Sequence, residues 1–409
     1  MSAPTIEQAL QLAIAHHQAG RLAEAEAIYR QILAVQPQNV DALHYLGVIA
    51  QTVGRNDLAV DLITRAIALH PNFTEAHSNL GNALLSLGRV DEAVRAYSRA
   101  ITLRPDYAEA YNNLGNALLA CGRTADAIAA CRRAVALMPG LTEAHNNLGS
   151  ALRDKGLLDE AIVACSRAIV LKPENAFAHN NLGIALQDKG QLEEAIASFR
   201  RAVALKPNFP RAHYNLGNVL RATRRMDNAI AAWRQAIALN PNFAEAHSSL
   251  GAGLKDKGDL HGAIAAYRLA ATLRPGYAEA HSNLGSVLLE QGHLDEAIAA
   301  CCRAIALRPN FAEVHSNLGN ALKEKGDPDG AVASYRLALA LKPDDAEIHS
   351  NLGNVLREQD RLDEAVAACR HAITLRPDFA TAHFNLGNAL RDREELDTAI
   401  ASFDAGHRA

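Results

Sequence analysis

The chain has 409 residues, a formal net charge of -4, and a composition that is 49% apolar but only 5% aromatic. This balance argues against a surface for nucleic acid or anionic membrane, because phosphate neutralisation needs a basic face that the charge does not provide. Length alone suggests about two or three compact domains, but an internal period overrides that expectation. Prolines recur every 34 residues from Pro37 to Pro377, and glycines from Gly47 to Gly387 keep the same period in phase with them. One structural unit is stacked about twelve times, as in repeat proteins that bind along an extended surface.

In chain order, residues 1–5 read as a lead-in, 6–379 as eleven repeats of 34 residues, and 380–409 as a shortened twelfth. The start carries Glu7 and Gln8 where a signal peptide is apolar, and no run approaches the roughly 18 apolar residues of a membrane span. An unexported, cytoplasmic chain is expected. Residues 72–105 illustrate one repeat. Asn72 with Glu75 three places on has the spacing of a capping box, which predicts a helix beginning there. Ala76, Leu80, Ala83, Leu84 and Leu87 then keep helical spacing, and Gly88 offers a left-handed stop. A second helix carries Val90, Ala93, Val94, Tyr97, Ala100, Ile101 and Leu103, and Pro105 ends it. Alanine fills the Ala93 slot in every copy from Ala25 to Ala399, so small residues there and at Gly81 allow close helix approach.

Departures from the pattern are few. Arg224, Asp360 and Glu394 replace the stop glycine, and those turns are expected to close by another route. Pro210 and Pro328 fit a helix's first turn. Cys131, Cys165, Cys301 and Cys369 share the slot of Tyr97 and read as small core residues, while Cys121 and Cys302 have no metal-ligand spacing. At the far end, Ile400 and Phe403 stand in slots expected to face a further repeat, which raises self-association through stacked ends.

Leu-Gly, then Ala, an aromatic and Pro at this period resemble the tetratricopeptide repeat family over residues 6–409. The resemblance implies an all-α, right-handed superhelix of about twelve helix-turn-helix repeats, an α-α solenoid, whose first helices line a concave groove. The family's tryptophan slot instead holds His77, Tyr111, His145, His179, His213, His247, His281, His315, His349 and His383. Consecutive histidines belong to different helix pairs and do not converge on a metal, so half-buried rings bonded to a neighbour are expected.

Two polar rows remain. Asn79, Asn113, Asn147, Asn181, Asn215, Asn283, Asn317, Asn351 and Asn385 form the first, interrupted by Ser249; Asn82, Asn116, Asn218, Asn320, Asn354 and Asn388 form the second. Asparagine is a poor helix-interior residue, so its recurrence needs a reason. By the resemblance both rows face the groove, where a carboxamide can pair with any peptide's N–H and C=O. The alternative is that each amide bonds its neighbour in the stack. The strings A-H-S-N-L-G-N-A-L-K-E-K-G and L-R-P-D-F-A-T-A-H-F-N-L-G-N-A-L are similar to the superhelical arm of protein O-GlcNAc transferases, in which an asparagine ladder holds substrate chains. The similarity covers the arm alone, so a substrate-selecting arm is the second reading.

A carboxylate-clamping groove is disfavoured, because Glu75, Glu109, Glu143, Glu245, Glu279, Glu313 and Glu347 stand where its lysine would be. Those glutamates are expected in capping boxes. Arg153, Arg221, Lys255, Lys323, Arg357 and Arg391, with acidic neighbours, read as a solvated face. Gly251 and Gly253 sit within a predicted helix, not in a phosphate loop, and no nucleophile has a placed base. The expectation is a non-catalytic binder of proteins or extended peptides, with no cofactor and no metal.

Overall fold

A computed structural model describes residues 5–409; the expected lead-in lies outside the described residues except for Thr5. Among those residues there are 24 helices and no strand. They fall into two compact units, Met1–Pro207 and Asn208–Ala409, each holding six helix pairs. Within each unit successive pairs stack into a solenoid. In a representative pair, Thr74–Ser86 turns into Val90–Leu103.

The close approach inside a pair rests on the Gly81 slot. A Cβ at Gly81 would lie 2.6 Å from the Tyr97 ring, and one at Gly149 would lie 2.3 Å from Cys165 Sγ. Nothing larger than hydrogen fits without repacking the second helix. Ala93 and its equivalents complete the seam and are fully buried or nearly so. Cys131, Cys165, Cys301 and Cys369 are buried in the same seam, and burial pushes each thiol up to about 12. They pack as apolar residues.

Helix starts differ from the sequence expectation. Thr74–Ser86 begins two residues after Asn72, with Phe73 at the cap and no side-chain cap bond, so the Asn72–Glu75 capping box does not form. The cap slot is that of residue 73. Asn39, Asn175 and Asp345 occupy it elsewhere, and each accepts from backbone N–H groups of its helix's first turn. At Phe73 and most other copies an apolar side chain replaces the cap. Pro210 and Pro328 do open helices, as expected.

The turns between paired helices also correct an expectation. Gly88 has a φ of 73°, and Arg224, Asp360 and Glu394 adopt the same left-handed region at 59°, 58° and 66°. The closing bond is shared too: Arg89 N–H reaches Leu84 O at 2.9 Å, and Arg225, Arg361 and Glu395 reach their equivalents at the same distance. These three turns close by the glycine route and carry strain of about 1 kcal/mol or more each.

At the last pair, Phe403 is half-buried against Gly387 within its own repeat and packs on the Leu386 and Leu390 cluster. The expectation that it faces onward is corrected; Ile400 and Leu396 are exposed. No helix among the described residues is long and apolar enough to cross a membrane, and no group of three or more His, Cys, Asp or Glu is placed to hold a metal ion.

Candidate functional site

Histidines in the tryptophan slot fasten the entry to eight of the first helices. Nε2 of His77, His145, His179, His247, His281, His315, His349 and His383 lies 2.9–3.2 Å from the carbonyl of the proline six residues earlier. A carbonyl can only accept, so that ring nitrogen carries the proton and donates. The row pins the Pro-containing loop to the helix that follows it.

The asparagine rows have two kinds of partner. In the second row, Asn82 and Asn320 accept from the hydroxyls of Tyr97 and Tyr335 at 2.7 and 2.6 Å, and Asn218 accepts from Trp233 Nε1 at 3.0 Å. Each carboxamide satisfies a polar head carried into the seam by a buried aromatic. Tyr29 shows what happens otherwise: Ile14 stands in the second-row slot, and the buried hydroxyl has no partner. Asn354 donates to Glu358 at 3.2 Å, Asn116 is exposed, and Asn388 is half-buried.

First-row amides reach back one repeat. Asn113 Nδ2 donates to Asn82 Oδ1 at 3.1 Å, Asn147 to Asn112 at 2.9 Å, Asn181 to Asn146 at 3.0 Å, and Asn351 to Asn320 at 3.4 Å. Asn385 donates to Ser350 Oγ at 2.9 Å, and Asn79 lies 2.9 Å from His44 Nε2. Asn215 is half-buried in the same slot of Pro210–Ala222. For Asn283 and Asn317, also half-buried, no side-chain partner occurs among the described residues. Most first-row residues therefore brace the stack through one N–H while keeping a second N–H and part of their oxygen.

Three consecutive repeats in the first unit carry doublets: Asn112 and Asn113, Asn146 and Asn147, Asn180 and Asn181. The first residue of each doublet was missed by considering single rows; an Asn-Asn pair recurring at the repeat period was the available signal. Around these doublets lies a cavity of about 700 Å³ lined by Asn112, Asn113, Asn116, Asn146, Asn147 and Asn175. Glu143, Glu174, Lys172 and Lys206 edge it, with Phe177 and Leu205.

The glutamates expected in capping boxes have another role. Glu75, Glu245 and Glu279 pair with Arg104, Arg274 and Arg308 at the end of the second helix of their own repeat. Each guanidinium also lies 4.7–5.1 Å over the ring of Tyr107, Tyr277 or Phe311. Burial pushes each carboxyl up, but hydrogen bonds from the arginine and the helix backbone outweigh it and hold all three below the usual range. Around the cavity this staple is missing: Met138 stands opposite Glu109, Lys172 opposite Glu143 without an ion pair, and Lys206 opposite Phe177. The basic row expected to be merely solvated does span repeats, with Arg221–Asp256 at 3.3 Å and Arg357–Asp392 at 2.9 Å.

A family model described as TPR repeat matches residues 81–122, 149–190, 185–223, 253–292, 285–326, 319–360 and 353–392. Models described as tetratricopeptide repeat match 108–141 and 210–243, 10–72, and 62–95. Among solved structures, the Cut9–Hcn1 hetero-tetramer of the APC/C aligns over 95% of this chain and 97% of that one, with a TM-score of 0.51 and 15% identity, a likeness of fold. YrrB, titled a TPR protein with an unusual peptide-binding site, aligns over 48% of this chain and 98% of that one, at 23% identity and a TM-score of 0.42. MamA aligns over 40% and 95%, at 30% identity and a TM-score of 0.38. No match was found among curated proteins.

Proposed function

Because this chain belongs to the tetratricopeptide repeat family, whose model matches well over half of its length, we propose that it is a non-catalytic scaffold gripping extended protein segments on its first-helix face. The observation that carries this reading is the amide-lined cavity between first helices of the first unit. A carboxamide offers two N–H groups and two lone pairs, and bracing the stack consumes only part of that capacity. What is left suits the alternating donors and acceptors of an extended main chain, whatever its side chains. The first-row and second-row asparagines are the proposed contacts, and the six free cysteines fit a reducing cytoplasm.

The test is to select unstructured peptides from a displayed library on the full chain and map them by photo-crosslinking. Attachment is expected on first helices, near the asparagine slots. Crosslinks confined to second helices, or no selectable peptide, would overturn the reading. The same asparagine row favours a second reading, the substrate-selecting arm of a glycosyltransferase resembling the O-GlcNAc transferases. Under that reading the selected peptides are glycosylation substrates of such an enzyme supplied separately.

A further inference from the structure

We propose that the cavity between Ala108–Ala120, Thr142–Asp154 and Ala176–Asp188 anchors an uncharged polar stretch of extended peptide, with Asn146 and Asn147 holding its main chain. The proposal rests on the reading above that the first-helix face binds peptide.

Hydrogen-bond bookkeeping singles out that doublet. One chain of amides runs from Asn147 to Asn112, Asn113 and Asn82. Another runs from Asn180 to Asn181 and Asn146. The bond within a doublet forms at Asn112 to Asn113 and at Asn180 to Asn181, but not at Asn146 to Asn147. Asn146 therefore keeps both N–H groups and Asn147 keeps its oxygen. Their orientations are nonetheless fixed, because Asn146 Oδ1 accepts from Asn181 and Asn147 Nδ2 donates to Asn112. Turning either amide over would break that bond. A donor and an acceptor on adjacent residues, already oriented, match the C=O and N–H of a peptide without an ordering cost.

Charge selects the class of side chain. Glu143 and Glu174 oppose Lys172 and Lys206 around the cavity, so their signs cancel, and a segment of one charge would meet repulsion as often as attraction. Phe177 stands in the slot that holds Glu75 in the stapled repeats and is 50% exposed, with Lys206 Nζ 4.5 Å from its ring centroid. The ring offers an apolar platform for the stems of Ser, Thr, Asn or Gln side chains.

The experiment uses the full chain and a blocked, labelled peptide of Ser, Thr, Asn and Gln, alongside counterparts carrying several Glu or several Lys. The neutral peptide should bind most tightly, with an affinity that changes less than about twofold between roughly 0.05 and 0.2 M salt. Asn146→Ala with Asn147→Ala should weaken it about tenfold, and Phe177→Ala severalfold. Asn146→Asp keeps the shape and the Asn181 bond while removing both donors, so it should also weaken binding about tenfold even where the double variant unfolds. Asn317→Ala should cost less than any of these. A preference for a charged peptide, a steep salt dependence, or wild-type affinity in Asn146→Asp overturns the anchor. If library peptides still crosslink to first helices, the broader reading survives that result; if none do, both fail.

Discussion

The two units share one period but differ in where they tolerate strain and where they join their amides. In the first unit all six turns between paired helices carry glycine, from Gly20 to Gly190; in the second, Arg224, Asp360 and Glu394 occupy three of the six. The first unit links its asparagine doublets across repeats, whereas the second places Ser248, Ser282, Ser316 and Ser350 in the doublet slot and leaves Asn283 and Asn317 without side-chain partners. The seam of Gly81 and Ala93 equivalents is common to both. What specifies the repeat is thus separable from what fixes a region's surface, and within the second unit the amide slots brace the stack at Asn351 and Asn385 while staying open at Asn283 and Asn317.

The largest expected effect probes the amides. Asn113→Ala, Asn147→Ala and Asn181→Ala together should lower the stability of the first unit by about 2 kcal/mol, because three cross-repeat bonds are lost and their partners left unpaired, offset partly by alanine's helix propensity. Asn283→Ala with Asn317→Ala should leave the second unit unchanged or raise it by about 0.5 kcal/mol. Since repeat arrays need not unfold in two states, hydrogen exchange resolved by helix is the suitable readout. Equal losses in both units would erase the distinction.

A smaller effect is expected at the turns. Arg224→Gly, Asp360→Gly and Glu394→Gly each relieve a left-handed side chain but add freedom to the unfolded chain, for a net gain of about 0.5 kcal/mol per site. The sites lie in different turns, so their gains should nearly add. The second unit alone should become harder to denature. A loss at any site would show that its side chain makes up for the strain.

The helix pairs and their seam were legible in the sequence because the repeat period, Gly81, Ala93 and Pro105 act within a single repeat. The helix start was misplaced because Asn72 and Glu75 mimic a capping box, while Asn39, Asn175 and Asp345 mark the true cap one slot later. Comparing that slot across copies would have exposed the error. The partners of Glu75 and Asn113 were not legible. Glu75 reaches Arg104 at the far end of its own repeat and Asn113 reaches the repeat before, and which side chains meet depends on how the helices are rotated against one another, which spacing along one helix does not encode.

The smallest effect concerns the staples of the second unit. Glu245 and Glu279 have carboxyls held below their usual range: burial raises each, and bonds from Arg274 or Arg308 and the helix backbone more than reverse it. A depressed carboxyl contributes stability in full above its unfolded value of about 4.3 and loses it as pH falls through the folded value. The second unit should therefore weaken as pH falls below the unfolded value of about 4.3. Both pairs are partly exposed, with glutamate side chains at 27% and 46%, so screening keeps the contribution to about 0.5 kcal/mol per pair. Arg274→Ala with Arg308→Ala should flatten that acid dependence, and the difference from wild type should shrink in about 1 M salt. Lysine at the same two positions restores the charge but not the planar stacking on Tyr277 and Phe311, so recovery should be partial. In the first unit, Lys172→Arg opposite Glu143 supplies the missing guanidinium and should add to the weak acid dependence that the Glu75–Arg104 pair already gives. If the arginine-to-alanine pair follows the wild-type acid curve, the staples contribute nothing, and their absence around the cavity would not set those repeats apart from the stapled ones.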